Sequence, residues 1–358
     1  MDQNLRTMDW NVTTMRRSLS YWFDSLTADD YWITTANRIY YALRMIQHIY
    51  YPILAVVGVP VNLLTIGVLS QRTCGLSKCV TRYLVAMSAA DLLVIILDLI
   101  LRHIPIVYRE QFRFLYYIPV CNIHAVLLYT ATDCSVWFTV TFTFDRFVAI
   151  CYQKLKYKYC SEKTAAVALG TVTVLSSLKN TFWYFMLSDW YWLVNLPWFC
   201  SVTWDVQISR VWVTIEFLHH ILTPGLPFVV ILLLNALTVR HILVSSRARS
   251  RLRAHSTGET RRDAQMESRR KSIILLLVIS VNFILLWTAL MVLSIWTRVW
   301  NLTSVSFSAS PPRFLQELGF MLQLLSCCTN TAIYAVTQTQ FREQLKNVLK
   351  YPFTQLLN

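Results

Sequence analysis

The stretch Asp145-Arg146-Phe147-Val148-Ala149-Ile150-Cys151 closes a long apolar segment, and Cys121 stands 25 positions before Arg146. Arginine is among the costliest residues to set against such a segment at the edge of a bilayer, so its presence there asks for a function. A second cysteine, Cys200, lies beyond the next apolar segment, in a loop rich in tryptophan. Outward from this stretch, membrane-spanning helices are expected wherever about 20 mostly apolar residues run together. Seven segments meet or nearly meet that length: 44–70, 80–102, 119–150, 164–187, 211–244, 271–297 and 314–336.

Composition points the same way. Charged residues make up 15% of the chain, where a soluble domain carries about a quarter. The net charge of +14 would suit nucleic acid. The basic residues cluster instead in loops between apolar segments, and no nucleic-acid-binding fold is legible. With the N terminus outside, the inner loops and tail hold 20 of the 33 lysines and arginines, the third inner loop alone running from Arg240 to Lys271. The lipid bilayer is therefore the expected partner, with the C terminus on the cytoplasmic side. Asn11-Val12-Thr13 and Asn301-Leu302-Thr303 are glycosylation sequons on the side this orientation puts outside. Residues 1–43 hold no apolar stretch next to a small-residue cleavage site, so the first span is expected to act as the insertion signal. The expected organisation is an extracellular segment 1–43, a membrane domain 44–336 and a cytoplasmic segment 337–358. In that last segment Phe341, Leu345, Val348 and Leu349 share one helical face opposite basic residues, as in a helix lying on the inner leaflet.

These features together resemble the rhodopsin-like (class A) G protein-coupled receptors. The resemblance implies an all-α membrane protein, a seven-transmembrane helix bundle with a short amphipathic eighth helix. It implies a plasma-membrane location, a small extracellular ligand and a heterotrimeric G protein as partners, and no enzymatic chemistry. It also implies a bridge between Cys121 and Cys200. Asp145-Arg146-Phe147 stands where the family has Asp-Arg-Tyr, with Arg146 pairing with Asp145 at rest and meeting the G protein when active. Gly58-Val59-Pro60-Val61-Asn62 matches the first-helix asparagine, Trp287 the sixth-helix tryptophan, and Asn330 and Tyr334 the seventh-helix pair. Asp91, Ser135, Ser326 and Asn330 fall where the family coordinates a sodium ion, Ser326 replacing an asparagine that many members carry.

The chain also departs from the pattern. The fourth helix lacks the central tryptophan, with Trp183 near its outer end, and Ala289 and Thr331 stand where the sixth and seventh helices usually have proline. Without those prolines both helices lose a source of kinks. Within class A, Ser135-Val136-Trp137-Phe138-Thr139-Val140, Leu155-Lys156-Tyr157 and His255-Ser256-Thr257-Gly258 resemble the orphan group responsive to aromatic amino acids, so an aromatic amino acid or a small peptide is the expected ligand.

Ligand candidates come from polar groups in the outer halves of the spans. Leu128 stands where amine receptors keep an aspartate, which argues against an amine held by that salt bridge. Asp98 and Arg102 are four apart on one face, suited either to pairing with each other or to clamping a ligand. Asp133 is expected to face the fifth helix near His219; Glu216, His219 and Glu317 extend the lining and Trp287 forms its floor. Arg102 with Asp98 or Glu317 would offer both charges that an amino acid needs. Trp190, Trp192, Trp198 and Trp204 of the second outer loop suit either a lid or interfacial anchors. Two other readings compete. A transporter or channel using Asp91 and Asp133 as relays would predict repeated halves, which are absent from the sequence. A chemosensory receptor of the same fold shares the Asp-Arg-Phe-Val-Ala-Ile-Cys stretch but lacks that group's other motifs.

Overall fold

The computed structural model describes residues 35–71, 76–194, 199–203, 210–252, 260–303 and 311–356. The first helix, α1 (Thr35–Ser70), begins well before the apolar segment that predicts it. The predicted segment starts at Arg44 and includes the polar residues Arg44, Gln47 and His48, for which hydropathy offers no partners. The fold partners them instead: Arg44 donates to Gln47 at 3.0 Å, Gln47 to Glu317 at 2.7 Å, and His48 Nδ1 lies 2.9 Å from the Arg44 carbonyl. Helix α1 also runs through Pro52 and Pro60 without a break. Proline at 52 deprives the His48 carbonyl of its usual helical donor, and the Tyr108 hydroxyl supplies one at 2.5 Å. Such re-satisfaction by a neighbouring side chain is how membrane helices tolerate proline.

Helix α2 (Lys78–Val107) is α-helical through Val94, wound as a π-helix over Ile95–His103, and closed by a last turn, Ile104–Val107. Ser77 caps its start, the hydroxyl accepting from the Val80 amide. Helix α3 is Cys121–Cys151. After a short helix, Gln153–Tyr159, α4 runs over Glu162–Asn180, with Ser161 as its N-cap and Glu162 in its first turn, where a negative charge suits the helix dipole. A further turn, Phe182–Met186, continues it. Helix α5 comprises Arg210–His220 and Leu226–Leu252, joined through a break at Ile221–Gly225. Helices α6 (Thr260–Thr303), α7 (Arg313–Thr337) and α8 (Thr339–Leu356) complete the chain. As the absent prolines lead one to expect, α6 and α7 are continuous. Pro227 sits in the first turn of the lower half of α5, where its missing N–H costs least.

Among the described residues six helices are long and apolar enough to cross a membrane: α1, α2, α3, α5, α6 and α7. Helix α4 is more polar, its apolar run interrupted by Thr171, Thr173, Ser176, Ser177, Lys179 and Asn180. It packs on α2 and α3 and takes the remaining place in a seven-helix bundle.

Small residues let the helices approach closely, as they do in membranes. A β-carbon on Gly58 would lie 2.7 Å from Cys328 Sγ of α7 and 2.8 Å from Ile95 Cδ1 of α2. One on Gly319 would lie 2.7 Å from Leu290 of α6. The inner core gathers Leu84, Met87, Phe142, Tyr334 and Phe341. There α8 turns Phe341 inward, against Tyr334 at 6.1 Å, with Leu345 and Val348 packed beside the core and Arg342 and Lys346 exposed. The side chain of Leu349 lies outside the described residues.

One element departs from an all-helical layout. The loop after α4 forms an antiparallel hairpin, β1 (Leu187–Tyr191) with β2 (Cys200–Val202), in the register Leu187 to Val202 and Tyr191 to Cys200. Its ends are fixed to the bundle: Leu187, Tyr191, Phe199 and Cys200 are buried against the top of α3, alongside Trp183.

Candidate functional site

Three polar layers lie along the bundle axis, separated by apolar packing. In the inner layer Asp145 and Arg146 are both buried near the end of α3. Arg146 Nε donates to Asp145 Oδ2 at 3.0 Å, its Nη2 bonds the same oxygen, and its guanidinium lies 5.9 Å from the Phe142 ring centre. The other carboxylate oxygen accepts from the Cys79 thiol at 3.3 Å, and the Cys160 thiol lies 3.5 Å from the Asp145 carbonyl. Burial, with the Asp145 charge adding to it, pushes the Cys160 thiol up to about 11, so it stays protonated and unreactive near neutral pH. Phe147 packs edge-on against Tyr152 at 5.7 Å. Neither cysteine was singled out from the sequence, because a cysteine near a helix end carries no spacing signal of its own.

In the middle layer Asp91 accepts from Ser135 Oγ and from Asn330 Nδ2, each at 2.6 Å. Ser326 is oriented elsewhere: its hydroxyl donates to the Gln323 carbonyl at 2.6 Å and accepts from Trp287 Nε1 at 3.2 Å. Trp287 is buried and stacked on Phe283. Asn62 donates to the Gly58 and Cys327 carbonyls, which ties α1 to α7 beside this layer.

The outer layer holds two buried networks. In the first, Asp98 Oδ1 lies 3.0 Å from Arg102 Nη1 and 3.3 Å from His103 Nε2. The Arg102 guanidinium sits over the Phe199 and Phe320 rings at 5.1 and 4.8 Å, joining the hairpin to α7. Glu317 accepts from Gln47 and lies 3.9 Å from Arg44. Asp98 and Arg102 therefore pair with each other, while Glu317 is held from α1. Arg44 and Gln47 lie at the start of the first predicted span, but Glu317 is 270 residues from Gln47, so no local reading places them here.

In the second network Asp133 does not turn toward His219 as expected. Its Oδ2 takes Lys179 Nζ at 2.7 Å and Asn180 Nδ2 at 2.5 Å, both from α4. An ammonium on the adjacent helix satisfies a buried carboxylate better than a neutral imidazole does. His219 instead packs edge-on to Trp183 at 5.2 Å and Tyr129 at 5.6 Å. Lys179 was legible in principle: it is a lysine inside a predicted span, and such residues mark function by default. The side chains of Glu216 and Asn301 lie outside the described residues, and so does Asn11 altogether. Beyond these networks, at the same end of the bundle, Cys121 and Cys200 form a disulfide.

The family described as "7 transmembrane receptor (rhodopsin family)" matches residues 61–334. The chain belongs to this rhodopsin family of receptors. That membership makes it a multi-pass plasma-membrane protein of a signalling rather than an enzymatic class, whose members in general take extracellular ligands and G protein partners. The receptor is 30% identical over 150 residues to mouse G-protein coupled receptor 39, covering 41% of this chain and 32% of that one. The bovine and human proteins of the same name are each 28% identical over 150 residues, covering 41% of this chain and 33% of theirs. The matched region thus spans about a third of the length of these curated relatives. In the receptor the three polar layers fall at the inner, middle and outer levels of one bundle, with the disulfide at one end of α3 and the arginine pair at the other.

Proposed function

We propose that this receptor binds a small extracellular ligand in the outer half of the bundle and activates a heterotrimeric G protein through Arg146. The observation that carries this reading is the buried Asp145–Arg146 pair at the inner end of α3. A guanidinium held there by a carboxylate is a resting arrangement that a partner can open. The N terminus lies outside, in keeping with the lysine and arginine distribution, and Asn11 and Asn301 are glycan acceptors on that side. Segments 1–43 and 337–358 are its extracellular and cytoplasmic ends. An aromatic amino acid is the ligand class proposed, in line with the subfamily resemblance. Asp98, Arg102, Asp133, Glu216, His219, Trp287 and Glu317 are its candidate contacts. Because Arg102 is already bonded to Asp98, a ligand carboxylate reaching it would compete with that pair.

The test is G protein activation in cells, across G protein subtypes, with tryptophan and phenylalanine against buffer and Arg146→Ala alongside. Agonist response is expected in the wild type and a loss of about a hundredfold or more in Arg146→Ala at equal surface level. A response that survives Arg146→Ala unchanged refutes coupling through that residue. A receptor that signals but ignores both amino acids refutes the ligand class.

A sodium ion is proposed in the middle layer. The donor set fits a hard cation in part: Asp91 and Ser135 bring oxygens together, while Asn330 turns its amide nitrogen to Asp91 and would have to rotate to present its oxygen. Ser326 would have to leave Trp287 and Gln323 to join them. Replacing sodium by choline at constant ionic strength is expected to raise agonist-free signalling in the wild type, and Asp91→Asn to remove that dependence. Equal sodium responses in the two proteins would exclude a site at Asp91.

A further inference from the structure

Lys179 brings three helices to one ammonium group. Its Nζ lies 2.7 Å from Asp133 Oδ2 of α3 and donates to Thr223 Oγ1 of α5 at 3.2 Å. Asp133 is 1% exposed and stands roughly 18 Å along α3 from the disulfide, deep in the span. Its charge must be countered there, and Lys179 with Asn180 does so. The bond to Thr223 adds little to that neutralisation. What it adds is a constraint on α5.

Thr223 is where α5 is least determined by its own backbone. Its φ of −152° and ψ of 115° are extended values inside a helix, and Pro224 follows with no N–H to donate. The surrounding turn, Ile221–Gly225, is a kink that joins two separate helical segments. Below this break, Ile231 packs in one cluster with Val136, Val140, Phe283 and Trp287. The angle at which the lower half of α5 leaves the break therefore bears on Trp287 and on α6.

We propose that Lys179 is a positioning residue for signalling, its ammonium latching the break in α5 to the Asp133 carboxylate of α3. The proposal rests on the receptor reading above. The latched arrangement coexists with the closed Asp145–Arg146 pair, so it belongs to the resting state. Releasing the latch favours the active state.

Thr223→Val removes the acceptor while leaving shape and the ion pair in place. Asp133→Asn with Lys179→Met removes both charges together and leaves neither one orphaned. Agonist-free signalling per surface receptor is expected to rise about fivefold or more in Thr223→Val. The double variant should rise similarly, and adding Thr223→Val to it should bring no further rise. Lys179→Arg, which keeps the charge and its donors, should stay close to wild type. A thermal-stability cycle between Lys179 and Thr223 in nanodiscs reads the contact without signalling. Stability coupling with unchanged signalling makes the contact merely structural and overturns the proposal, as do signalling effects that add independently. An agonist-free signal that persists in an Arg146→Ala background instead refutes coupling through Arg146, and the nanodisc cycle still reports whether the latch contact exists.

Discussion

Replacing Cys121 or Cys200 with serine is expected to destabilise the receptor by about 4 kcal/mol, through the loop of chain that the bridge closes. The two cysteines are 79 residues apart, and both are buried. Cross-linking over such a span removes much of the freedom of the unfolded chain between α3 and the hairpin. The loss also has a local part. Phe199, next to Cys200, sits over Arg102, and its carbonyl accepts from the Trp192 amide at 2.7 Å. Without the bridge the short strand β2 keeps only its packing against α3, its pairing with β1 and the bonds from Thr203 to the Met186 carbonyl, and a two-stranded hairpin is marginal by itself. The measurement is the apparent Tm in detergent, expected to fall by roughly 10 °C, together with the fraction of receptor at the cell surface. Both single variants and the double variant should behave alike, because each removes the same bond. A double variant that keeps the wild-type Tm would show that packing around Phe199 and Trp183 holds the hairpin unaided.

The bundle was legible in the sequence because the bilayer imposes a length and a polarity on every span, and six helices meet both plainly. The ends were not. Helix α1 starts before Arg44 because Glu317, distant in sequence, is there to receive Gln47 and Arg44, and no local window contains that pairing. The paired residues at Arg146 and at Asp98–Arg102 are neighbours in sequence or on one helix face, so their partners were visible. Asp133 was misread for the opposite reason. Helical phase says which way a side chain leaves α3, yet two helices lie in that sector, and the stronger donor decides between them. The hairpin had no signature separable from a tryptophan-rich loop. Trp190 and Trp192 are about half exposed, as interfacial anchors would be.

Trp183 is the departure from the family pattern with the most energy in it. Its side chain is fully buried, stacked on Tyr129 at 4.5 Å and packed against Phe182 and His219. Its Nε1 donates to Asn180 Oδ1 at 3.2 Å, while the other end of that amide donates to Asp133. Trp183→Ala is expected to cost about 3–5 kcal/mol, since the rings around it cannot close over so large a void. Trp183→Phe keeps the stack and loses the donor, leaving the Asn180 oxygen unpaired, for about 1–3 kcal/mol. Thermal unfolding in detergent separates the two, with alanine well below phenylalanine and phenylalanine below wild type. The smaller effect has a further signature. Trp183→Phe and Asp133→Asn should be non-additive, because both act through Asn180, whereas Trp190→Ala should be additive with either. If Trp183→Phe instead matched Trp183→Ala, the hydrogen bond rather than the ring stack would carry the outer end of α4. The tryptophan would then be an anchor for Asn180 and, through it, for the buried charge at Asp133.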